Sequence, residues 1–391
     1  MIKLKKLTEL PDKIYQDLGW DWFLGGGEWK YLTSDIVLIT TKERDDFYAA
    51  ANELYQMLVE AADYVVDNNL WKELAIPKNI VELIKLTWND ERHFHLYGRF
   101  DFAGGVDGLP IKLIEFNADT ATTLPETAII QWAQLKANGI AEEKQFNFVY
   151  DALVDNFKRL KEMNADLYPS LLVSAMGGTP EDDANVEVIG EAAKEAGFEV
   201  EYRHVEEVVF SPTDGIFVDN GDDNYKKFDF WFKLVPWEYI AYEEPNLMHT
   251  LTEIVKNRKA MIINPAYTLL FQSKGILKYL WDLYKEHPLL LRTDFEEPYR
   301  LERYVEKVLL GREGQNVTVY DETGIPIGKV KGDYEQYPSV FQEYADFGRD
   351  KAGSYYQPGV FFAYEACGVG FRKGKIIIDD DAEFLGHVVE D

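Results

Sequence analysis

The sequence predicts a mixed α/β fold that contains more than one structural unit. Residues 93–102 and 111–117 alternate in polarity on either side of a glycine-rich turn, which predicts a β-hairpin. Residues 166–258 alternate apolar strand segments with a helical segment, an order typical of a parallel sheet. The chain has 391 residues, of which 46% are hydrophobic. At about 100–200 residues per domain, we expect two or three units with a large core.

Each further element follows from its own pattern. Apolar residues recur at three- and four-residue steps from Phe47 to Val65, with charges between them, and predict a helix over 45–70. Other patterns predict helices at 125–138, 147–164, 184–197 and 265–286, an apolar run at 171–173, strands at 198–203 and 228–235, and further C-terminal strands separated by Gly-rich turns.

The charge of the chain limits the classes of partner. There are 41 Lys and Arg residues against 69 Asp and Glu, a formal net charge of −28. Such a surface repels phosphate backbones and favours cationic partners, so we expect no nucleic-acid partner. The same acidity is also explained by solubility alone.

Cysteine use and the N-terminal segment predict a cytoplasmic protein. Cys367 is the sole cysteine, which excludes a disulfide framework and a thiolate cluster for zinc. No histidine adjoins it, so a catalytic thiolate is not expected. The N-terminal segment is charged from Lys3 onward, and no window approaches the ~20 apolar residues that span a bilayer, so we expect no membrane partner.

The predicted hairpin carries the strongest candidate constellation. Alternation places Arg99 and Asp101 on one face of the first strand, and Glu115 and Asn117 on one face of the second. Two carboxylates and an amide oxygen are hard ligands suited to Mg²⁺, and an arginine beside them offers a planar fork for phosphate. Ordinary cross-strand ion pairs on an exposed face are the alternative.

Two weaker signals lie in the C-terminal third. Lys307 precedes the segment from Gly311 to Gly314, whose glycines allow backbone N–H groups to face a phosphate, although a plain β-turn explains them as well. Lys274 falls inside the helical run from 265, where local reasoning favours a solvated lysine. His93 and His95 share a strand face, but no third metal ligand lies at a useful spacing.

In chain order, the motifs resemble the synthetase domain of glutathionylspermidine synthase and its single-domain relatives. The resemblance covers the chain from about residue 20 and spans seven stretches in the right order. These are GRFDF at 98–102, IEFNADTATTLPE at 114–126, WFKLVPWE at 231–238, SKGILKYLWDLYKEHPLLLRTDF at 273–295, VEKVLLGREGQNV at 305–317, VFQEY at 340–344 and CGVGFRKGKIII at 367–378. The cysteine amidase domain of the bifunctional members has no counterpart in these stretches.

The resemblance implies an ATP-grasp fold assembled from the N- and C-terminal parts of the chain, with an inserted α/β substrate lobe that is pre-ATP-grasp-like. It implies an N-terminal part at 1–165 with helices and the metal-binding hairpin 93–117. The inserted lobe is expected at 166–258, and a C-terminal part with the nucleotide-binding lysines and a Gly-rich lid loop at 259–391.

The resemblance also implies roles for individual residues. Asp101, Glu115 and Asn117 match the family's ligands for Mg²⁺, of which two ions are expected. Arg99 matches the arginine that stabilises the transferring phosphoryl group of ATP. Lys274 and Lys307 match two lysines on the ATP phosphates, Gly311, Arg312 and Gly314 belong to the lid loop at 311–316, Gln342 matches a residue near adenine, and Arg372 matches an arginine near the reacting phosphate.

The sequence departs from the family pattern at the residues expected to bind the acid and the amine. Thr123 replaces a cysteine, and Leu234 follows Lys233 where the bifunctional enzyme has a glutathione-contacting threonine. The expected substrate-binding residues are Asp119, Thr120, Thr122, Thr123, Glu126, Lys233 and Glu238, and Asp119, Glu126 and Glu238 are the candidate general bases.

The expected function is therefore an ATP- and Mg²⁺-dependent acid–amine ligase that releases ADP and forms an amide through an acyl phosphate. The expected partners are ATP, a glutathione- or peptide-like acid and a polyamine-like amine. One alternative is the same chemistry on a different pair, such as a peptide or amino acid with a small amine. The other is a catalytically silent protein that binds ATP or a polycation.

Overall fold

The computed structural model describes residues 1–24, 30–222, 224–297 and 303–391. The helices in this part of the chain are α1 (Asp12–Leu18), α2 (Thr41–Asn68), α3 (Val81–Trp88), α4 (Gln131–Ala137), α5 (Val149–Met163), α6 (Pro180–Glu195), α7 (Trp237–Glu243), α8 (Pro245–Lys256), α9 (Thr268–Gln272) and α10 (Ile276–Leu283). Short 3₁₀ turns occur at Lys78–Ile80, Glu142–Lys144 and Val205–Glu207, and a π-helical turn at Glu126–Ile130 precedes α4.

The strands fall into two runs along the chain. The first run is β1 (Leu4–Lys6), β2 (Asp35–Ile39), β3 (Gly98–Ala103), β4 (Lys112–Asn117), β5 (Ser170–Ser174), β6 (Glu199–Tyr202), β7 (Val208–Ser211), β8 (Gly215–Asp219), β9 (Tyr225–Phe228), β10 (Phe230–Lys233) and β11 (Met261–Ile263). The second run is β12 (Thr293–Asp294), β13 (Tyr304–Val308), β14 (Val317–Tyr320), β15 (Pro326–Val330), β16 (Ser339–Glu343), β17 (Gly348–Arg349), β18 (Tyr355–Ala363), β19 (Glu365–Gly374), β20 (Glu383–Leu385) and β21 (His387–Val389).

A sheet at the centre of the molecule joins distant parts of the chain. Its order is β20-β19-β18-β3-β4, with β17 added beside β18. The predicted hairpin forms as β3 and β4, although its first strand begins at Gly98 and not at 93 as expected, so His93 and His95 lie outside it. Its register places Asp101 opposite Glu115. The helix predicted at 45–70 forms as α2, and Phe47 of α2 packs against Phe102 and Phe371 of this sheet. Strands near both ends of the chain are therefore neighbours.

The segment predicted as a parallel α/β unit contains a parallel sheet of order β11-β10-β5-β6. Helix α6 connects β5 to β6, as the apolar pattern of this segment indicates. β11 begins three residues beyond the expected boundary at 258, so this sheet extends into the next predicted part. The antiparallel sheet β7-β8-β9 follows β6 and was not predicted.

Two further sheets complete the described strands. The first is an antiparallel sheet of order β12-β16-β13-β14-β15, and a loop joins its neighbouring strands β13 and β14. Strands β1, β2 and β21 form the other sheet, in which β2 runs parallel to β21. Within the described ranges, no helix has both the length and the apolar composition needed to cross a bilayer.

The single helix predicted at 265–286 is wrong, because α9 and α10 are separated by Ser273, Lys274 and Gly275. The break is fixed by the neighbouring segment at 73–74. The Ser273 hydroxyl donates to the Leu74 carbonyl over 2.7 Å. A Cβ on Gly275 would lie 3.1 Å from the Glu73 carbonyl oxygen, so the chain approaches this segment closely. Periodicity alone does not reveal such a tertiary contact.

The turn of the β3–β4 hairpin allows the close approach of its own backbone segments to be tested. Gly104 and Gly108 both have left-handed backbones, at φ +71° and +76°. A Cβ on Gly104 would lie 2.1 Å from the Pro110 carbonyl oxygen, whereas one on Gly108 would meet open space. We expect Gly108→Ala to lower the free energy of unfolding by about 1 kcal/mol through its backbone alone. Gly104→Ala should lower it by at least about 2 kcal/mol more, because a backbone clash is added.

Urea unfolding of both variants, followed by tryptophan fluorescence, measures the difference. Equal losses of stability would contradict the close approach of this turn to Pro110.

Candidate active site

A cavity of about 650 Å³ lies where the central sheet, the sheet containing β13 and β14, and the parallel unit meet. This volume falls within the range of about 300–1,000 Å³ typical of small-molecule sites. Fourteen of the residues predicted from the sequence line it: Arg99, Asp101, Glu115, Asn117, Thr120, Thr122, Thr123, Lys274, Lys307, Gly311, Arg312, Gly314, Gln342 and Arg372. Four do not reach its surface: Asp119, Glu126, Lys233 and Glu238.

Arg99 and Asp101 form a bidentate pair on β3. Arg99 Nε and Nη2 donate to the two Asp101 carboxylate oxygens over 2.7 and 3.0 Å. Arg99 Nη1 donates to the Thr122 carbonyl and the Thr123 hydroxyl, which holds the guanidinium against the loop that follows β4. The neighbouring strand leaves room for this side chain, since a Cβ on Gly359 would lie 2.9 Å from Arg99 Cδ. Arg99 is therefore fixed on three sides before any ligand arrives.

Glu115 lies between two lysines that come from distant parts of the chain. Lys274 Nζ lies 3.1 Å from Glu115 Oε2 and also donates to the Gly311 carbonyl over 2.6 Å. Lys307 on β13 donates to the Ile114 carbonyl over 3.1 Å. Burial opposes ionisation of Glu115, but Lys274 and Lys307 outweigh it and lower the pKa of this carboxyl to about 2. The carboxylate is thus ionised at neutral pH.

Burial has the opposite effect on the lysine that Glu115 faces. It lowers the pKa of Lys307 to about 8, although the charge of Glu115 partly opposes this effect. Lys274 adds to the lowering, since two ammonium groups share one carboxylate. The cavity therefore contains a lysine whose protonated form lacks a full set of anionic partners. An anionic ligand would supply them.

Strands β3 and β4 place in the cavity a set of oxygen atoms that suits a metal ion. Asp101 and Glu115 are opposed in register, and Asn117 Nδ2 donates to Asp101 Oδ2 over 3.0 Å. Two carboxylates and an amide fit the chemistry of Mg²⁺, which uses few protein ligands and retains water or phosphate oxygens. In the described part of the chain, no group of three or more His, Cys, Asp or Glu side chains is arranged to hold a metal.

The loop at 311–316 closes one side of the cavity. Arg312 donates to Glu238 Oε1 from Nη2 over 2.6 Å and from Nε over 3.1 Å, and it donates to the Thr120 hydroxyl over 2.7 Å. Gly314 is required at its position, because its φ is +70° and a Cβ would lie 2.5 Å from the Ile378 carbonyl oxygen. The loop is therefore fastened to α7 and to the segment after β19.

Behind this wall lies a layer of buried charges that the sequence analysis assigned to substrate. Lys233 and Asp119 have no exposed side-chain surface and pair at 3.0 Å, while the Trp237 amide donates to Asp119 over 2.9 Å. Burial raises the pKa of Asp119 and lowers that of Lys233, and each partner partly opposes the shift. Their contacts are with the protein interior.

Glu126 is buried and accepts a hydrogen bond from the Tyr31 hydroxyl over 2.7 Å. Burial raises its pKa. Tyr31 lines the cavity, so its hydrogen bond connects the buried Glu126 to the cavity wall. Of the nucleotide-site predictions, Gln342 donates to the Leu113 carbonyl over 3.3 Å and Arg372 to the Asp379 carbonyl over 2.6 Å.

The cavity also has an acidic rim, which was not predicted from the sequence. It consists of Glu181 and Asp182 in the first turn of α6, with Glu313 and Asp380 facing them. Burial, followed by the charges of Glu181 and Glu313, raises the pKa of Asp182 to about 7. Burial and Glu313 raise the pKa of Asp380 to about 6. The acidic runs at 181–183 and 379–381 are visible in the sequence, but each is typical of a solvated surface.

The remaining candidate residues lie elsewhere. His95 is buried and bonded to the Ala118 carbonyl and the Tyr55 hydroxyl, at 2.8 and 3.3 Å. Burial lowers its pKa to about 4, so it is a neutral core residue. Cys367 is buried, and burial raises the pKa of its thiol. Such a thiol remains protonated at neutral pH and is a poor nucleophile.

In this cavity, cations from several segments of the chain surround carboxylates, an arrangement that suits an anionic ligand. The chain belongs to the glutathionylspermidine synthase family. The family model described as "Glutathionylspermidine synthase preATP-grasp" matches residues 3–390.

Individual relatives agree with this membership. A Haemophilus influenzae protein named as an acid–amine ligase is 30% identical over 98% of this chain and 99% of its own length. The bifunctional glutathionylspermidine synthetase/amidase of Escherichia coli is 25% identical over 78% of this chain, and the match spans 51% of that enzyme. A solved structure of a glutathione synthetase-like effector from Globodera pallida shares the fold, with a TM-score of 0.55, 11% identity and 98% of both chains covered.

The lowered pKa of Lys307 predicts unusual reactivity. At pH 8 about half of a lysine with a pKa of about 8 is neutral, and only the neutral amine acylates. We expect acetic anhydride labelling of Lys307, followed by mass spectrometry and normalised to exposed Lys351, to show a midpoint near pH 8. Glu115→Gln should move the midpoint lower, because the carboxylate favours the protonated amine.

A bound Mg·ATP should suppress the labelling of Lys307 and leave that of Lys351 unchanged. A midpoint at pH 10 or above, or a midpoint unmoved by Glu115→Gln, would contradict this description of the cavity.

Proposed function

We propose that the protein is an ATP- and Mg²⁺-dependent ligase that joins an acid to an amine through an acyl phosphate. The observation that carries the proposal is the meeting of Arg99, Lys274 and Lys307 with Asp101 and Glu115 in one cavity. Within this cluster three cations face two anions, an excess of one positive charge, although the acids of the rim make the lining of the whole cavity net acidic. A polyphosphate chain is the ligand class that such an excess favours.

We also infer an ATP-grasp arrangement, with parts at 1–165 and 259–391 around an inserted lobe at 166–258. The pairing of β3 with β18 supports this assembly, because it makes strands of the first and last parts neighbours. Lys274 and Lys307 reach Glu115 of the first part in the same way. The lobe contributes the start of α6 and one end of α7 to the cavity wall.

Asp101, Glu115 and Asn117 would hold the magnesium in this proposal. When bound, the metal would neutralise charge on the phosphate oxygens and orient them for in-line transfer. The protein's own contribution begins with Arg99. Its bonds to Asp101, Thr122 and Thr123 occupy four of its five N–H groups, so one donor at Nη2 remains for a transferring phosphoryl group.

Acyl phosphates react readily with water, so the site has to be closed during the reaction. The loop at 311–316 provides this closure, because Arg312 binds Glu238 and Thr120 on the opposite wall. The Lys274 ammonium binds the Gly311 carbonyl, which ties the loop to a phosphate-binding group. Binding of the nucleotide phosphates and closure of the loop are thus linked through one lysine.

The acidic rim is the proposed site for the amine. Glu181, Asp182, Glu313 and Asp380 present carboxyl groups at one side of the cavity, and a polyamine-like substrate would neutralise their mutual repulsion. An attacking amine must lose a proton, and a general base works best with a pKa near the operating pH. Asp182 and Asp380 meet this condition and line the cavity, whereas Asp119, Glu126 and Glu238 do not reach its surface.

The acid would lie near Thr120, Thr122 and Thr123, whose loop adjoins the start of α6, since the Leu124 amide donates to Asn185 of that helix over 3.1 Å. A glutathione- or peptide-like carboxylate is the leading class. Thr123 and Leu234 differ from the residues expected in the family. Because the loss of a hydrogen-bond partner alters discrimination between substrates, a different acid–amine pair is the second candidate.

Product analysis tests the proposed reaction. The pure protein is incubated with Mg·ATP and a panel of peptide acids and amines, and mass spectrometry detects a condensation product and ADP. With ¹⁸O in the acid carboxylate, one ¹⁸O should appear in the released phosphate, because that oxygen bridges the acyl phosphate. Arg99→Ala should lower kcat at least about 100-fold, as expected when a donor to the transferring group is lost.

Release of AMP, or of unlabelled phosphate with product formed, would contradict the acyl-phosphate route. ATP binding without turnover for every pair would favour the catalytically silent alternative.

The acidic rim makes a separate prediction for the amine identified in that assay. Asp182→Asn and Glu181→Gln should each raise the KM for the amine about 10-fold and leave the KM for ATP unchanged. Since the pKa of Asp182 is about 7 and the group is charged only above it, amine affinity should rise as the pH rises through 7. Glu191→Gln, an exposed position on the same helix, is the matched control. Unchanged amine KM in both rim variants would place the amine elsewhere.

A further inference from the structure

A second concave surface lies apart from the candidate active site. This groove has a volume of about 1660 Å³ and shares no lining residue with the smaller cavity. Its lining comes from the end of α2 and the loop after it, α3, the ends of α7 and α8, and the segment at 336–338. The groove is open and larger than the ~300–1,000 Å³ of ordinary small-molecule pockets.

The charge of the groove is opposite to that of the chain. Six cationic residues and two acidic residues line it, in a protein with a net charge of −28. Lys256 pairs with Glu82, and Arg92 pairs with Asp90 and Asp166. The other four cations have no acidic partner among the described residues: Lys72, Lys78, Lys85 and Arg258. Such a concentration of unpaired cations is unexpected on an acidic protein and attracts anionic groups.

The cations are spread along the groove rather than gathered at one point. Lys78 precedes α3, Lys85 lies on it, and Arg92 follows it, on the same face as Glu82 and Asn89. A helix of eight residues is about 12 Å long, so the charges extend over more than that distance. A compact polyanion would contact one or two of them. An extended peptide covers about 12 Å with four residues and can contact the series.

The remaining lining suits a polypeptide. Trp71 lies under the Lys85 ammonium at 5.3 Å, and Tyr242 packs against Tyr337 with ring centroids 5.7 Å apart. Aromatic side chains and arginine are enriched at protein interfaces, and the groove contains both. His93 at the groove wall is 7% exposed, and its Nδ1 has no hydrogen-bond partner in the described structure. That nitrogen is itself buried, so it offers no direct contact to a ligand in the groove.

We propose that this groove docks an extended acidic segment of a partner protein. Charge complementarity selects the occupant: carboxylates at alternate positions of the segment would meet Lys72, Lys78, Lys85 and Arg258. A second copy of this chain is disfavoured, because two molecules of net charge −28 repel each other. The inference does not depend on the ligase reaction, since the two sites have separate linings.

A fluorescein-labelled octaglutamate peptide is the probe for this surface. Anisotropy titration at low ionic strength should show saturable binding that weakens as salt is added. The double variant K78E/K85E should raise the Kd at least 10-fold. The matched variant K144E/K351E reverses two exposed lysines outside the groove and should leave the Kd within twofold. Thermal melting confirms that both variants are folded.

Three outcomes would overturn the proposal. The peptide fails to bind, or both double variants weaken it equally, which would indicate nonspecific attraction. Alternatively, inorganic triphosphate displaces the peptide at equal concentration, which would indicate a compact polyanion site. Ligase activity in K78E/K85E provides an independent readout, so failure of this proposal is distinguishable from failure of the proposed function.

Discussion

The structure depends on a cluster of buried charges that are paired with one another except for one excess positive charge. Arg99 pairs with Asp101, and Lys274 and Lys307 share Glu115, so that five ionisable groups lie in one cavity. Removing a single partner from such a cluster leaves an uncompensated buried charge, which is strongly destabilising. The cluster therefore requires β3, β4, β13 and the break before α10 to be assembled together. It also leaves one positive charge in excess, and this excess is what the proposed polyphosphate ligand would neutralise.

The surrounding fold holds the cluster in place through backbone contacts more than through side-chain bulk. Gly359 gives Arg99 the space to lie along its strand, and the contact of Gly275 with the 73–74 segment fixes where Lys274 emerges. The Arg312–Glu238 pair then fastens the 311–316 loop over the cavity. Behind that pair, Asp119 and Lys233 form a second buried pair whose position supports the wall. In this arrangement, a charged side chain at the cavity is held by another charged side chain deeper in the protein.

The sequence predicted most of what depends on local periodicity, and less of what depends on tertiary contact. Alternation along β3 and β4 was enough to place Arg99, Asp101, Glu115 and Asn117 together, because a strand repeats every two residues and the hairpin turn sets the register. The residues alone left a surface ion-pair network open and gave Lys307 a weak phosphate signal, and the family resemblance was needed to place Lys274 and Lys307 at the nucleotide. The break at 273–275 was missed because it is caused by Leu74, a residue distant in the chain. The acidic rim was missed for the same reason, since the α6 and 379–381 acids look solvated until the fold brings them together.

The most direct test is a crystal structure with Mg²⁺ and a non-hydrolysable ATP analogue. The account predicts a triphosphate between the Lys274 and Lys307 ammonium groups, with metal density bounded by Asp101, Glu115 and Asn117 and the 311–316 loop closed over it. A triphosphate bound outside this cavity, with those two lysines still paired only to Glu115 and backbone carbonyls, would contradict the account.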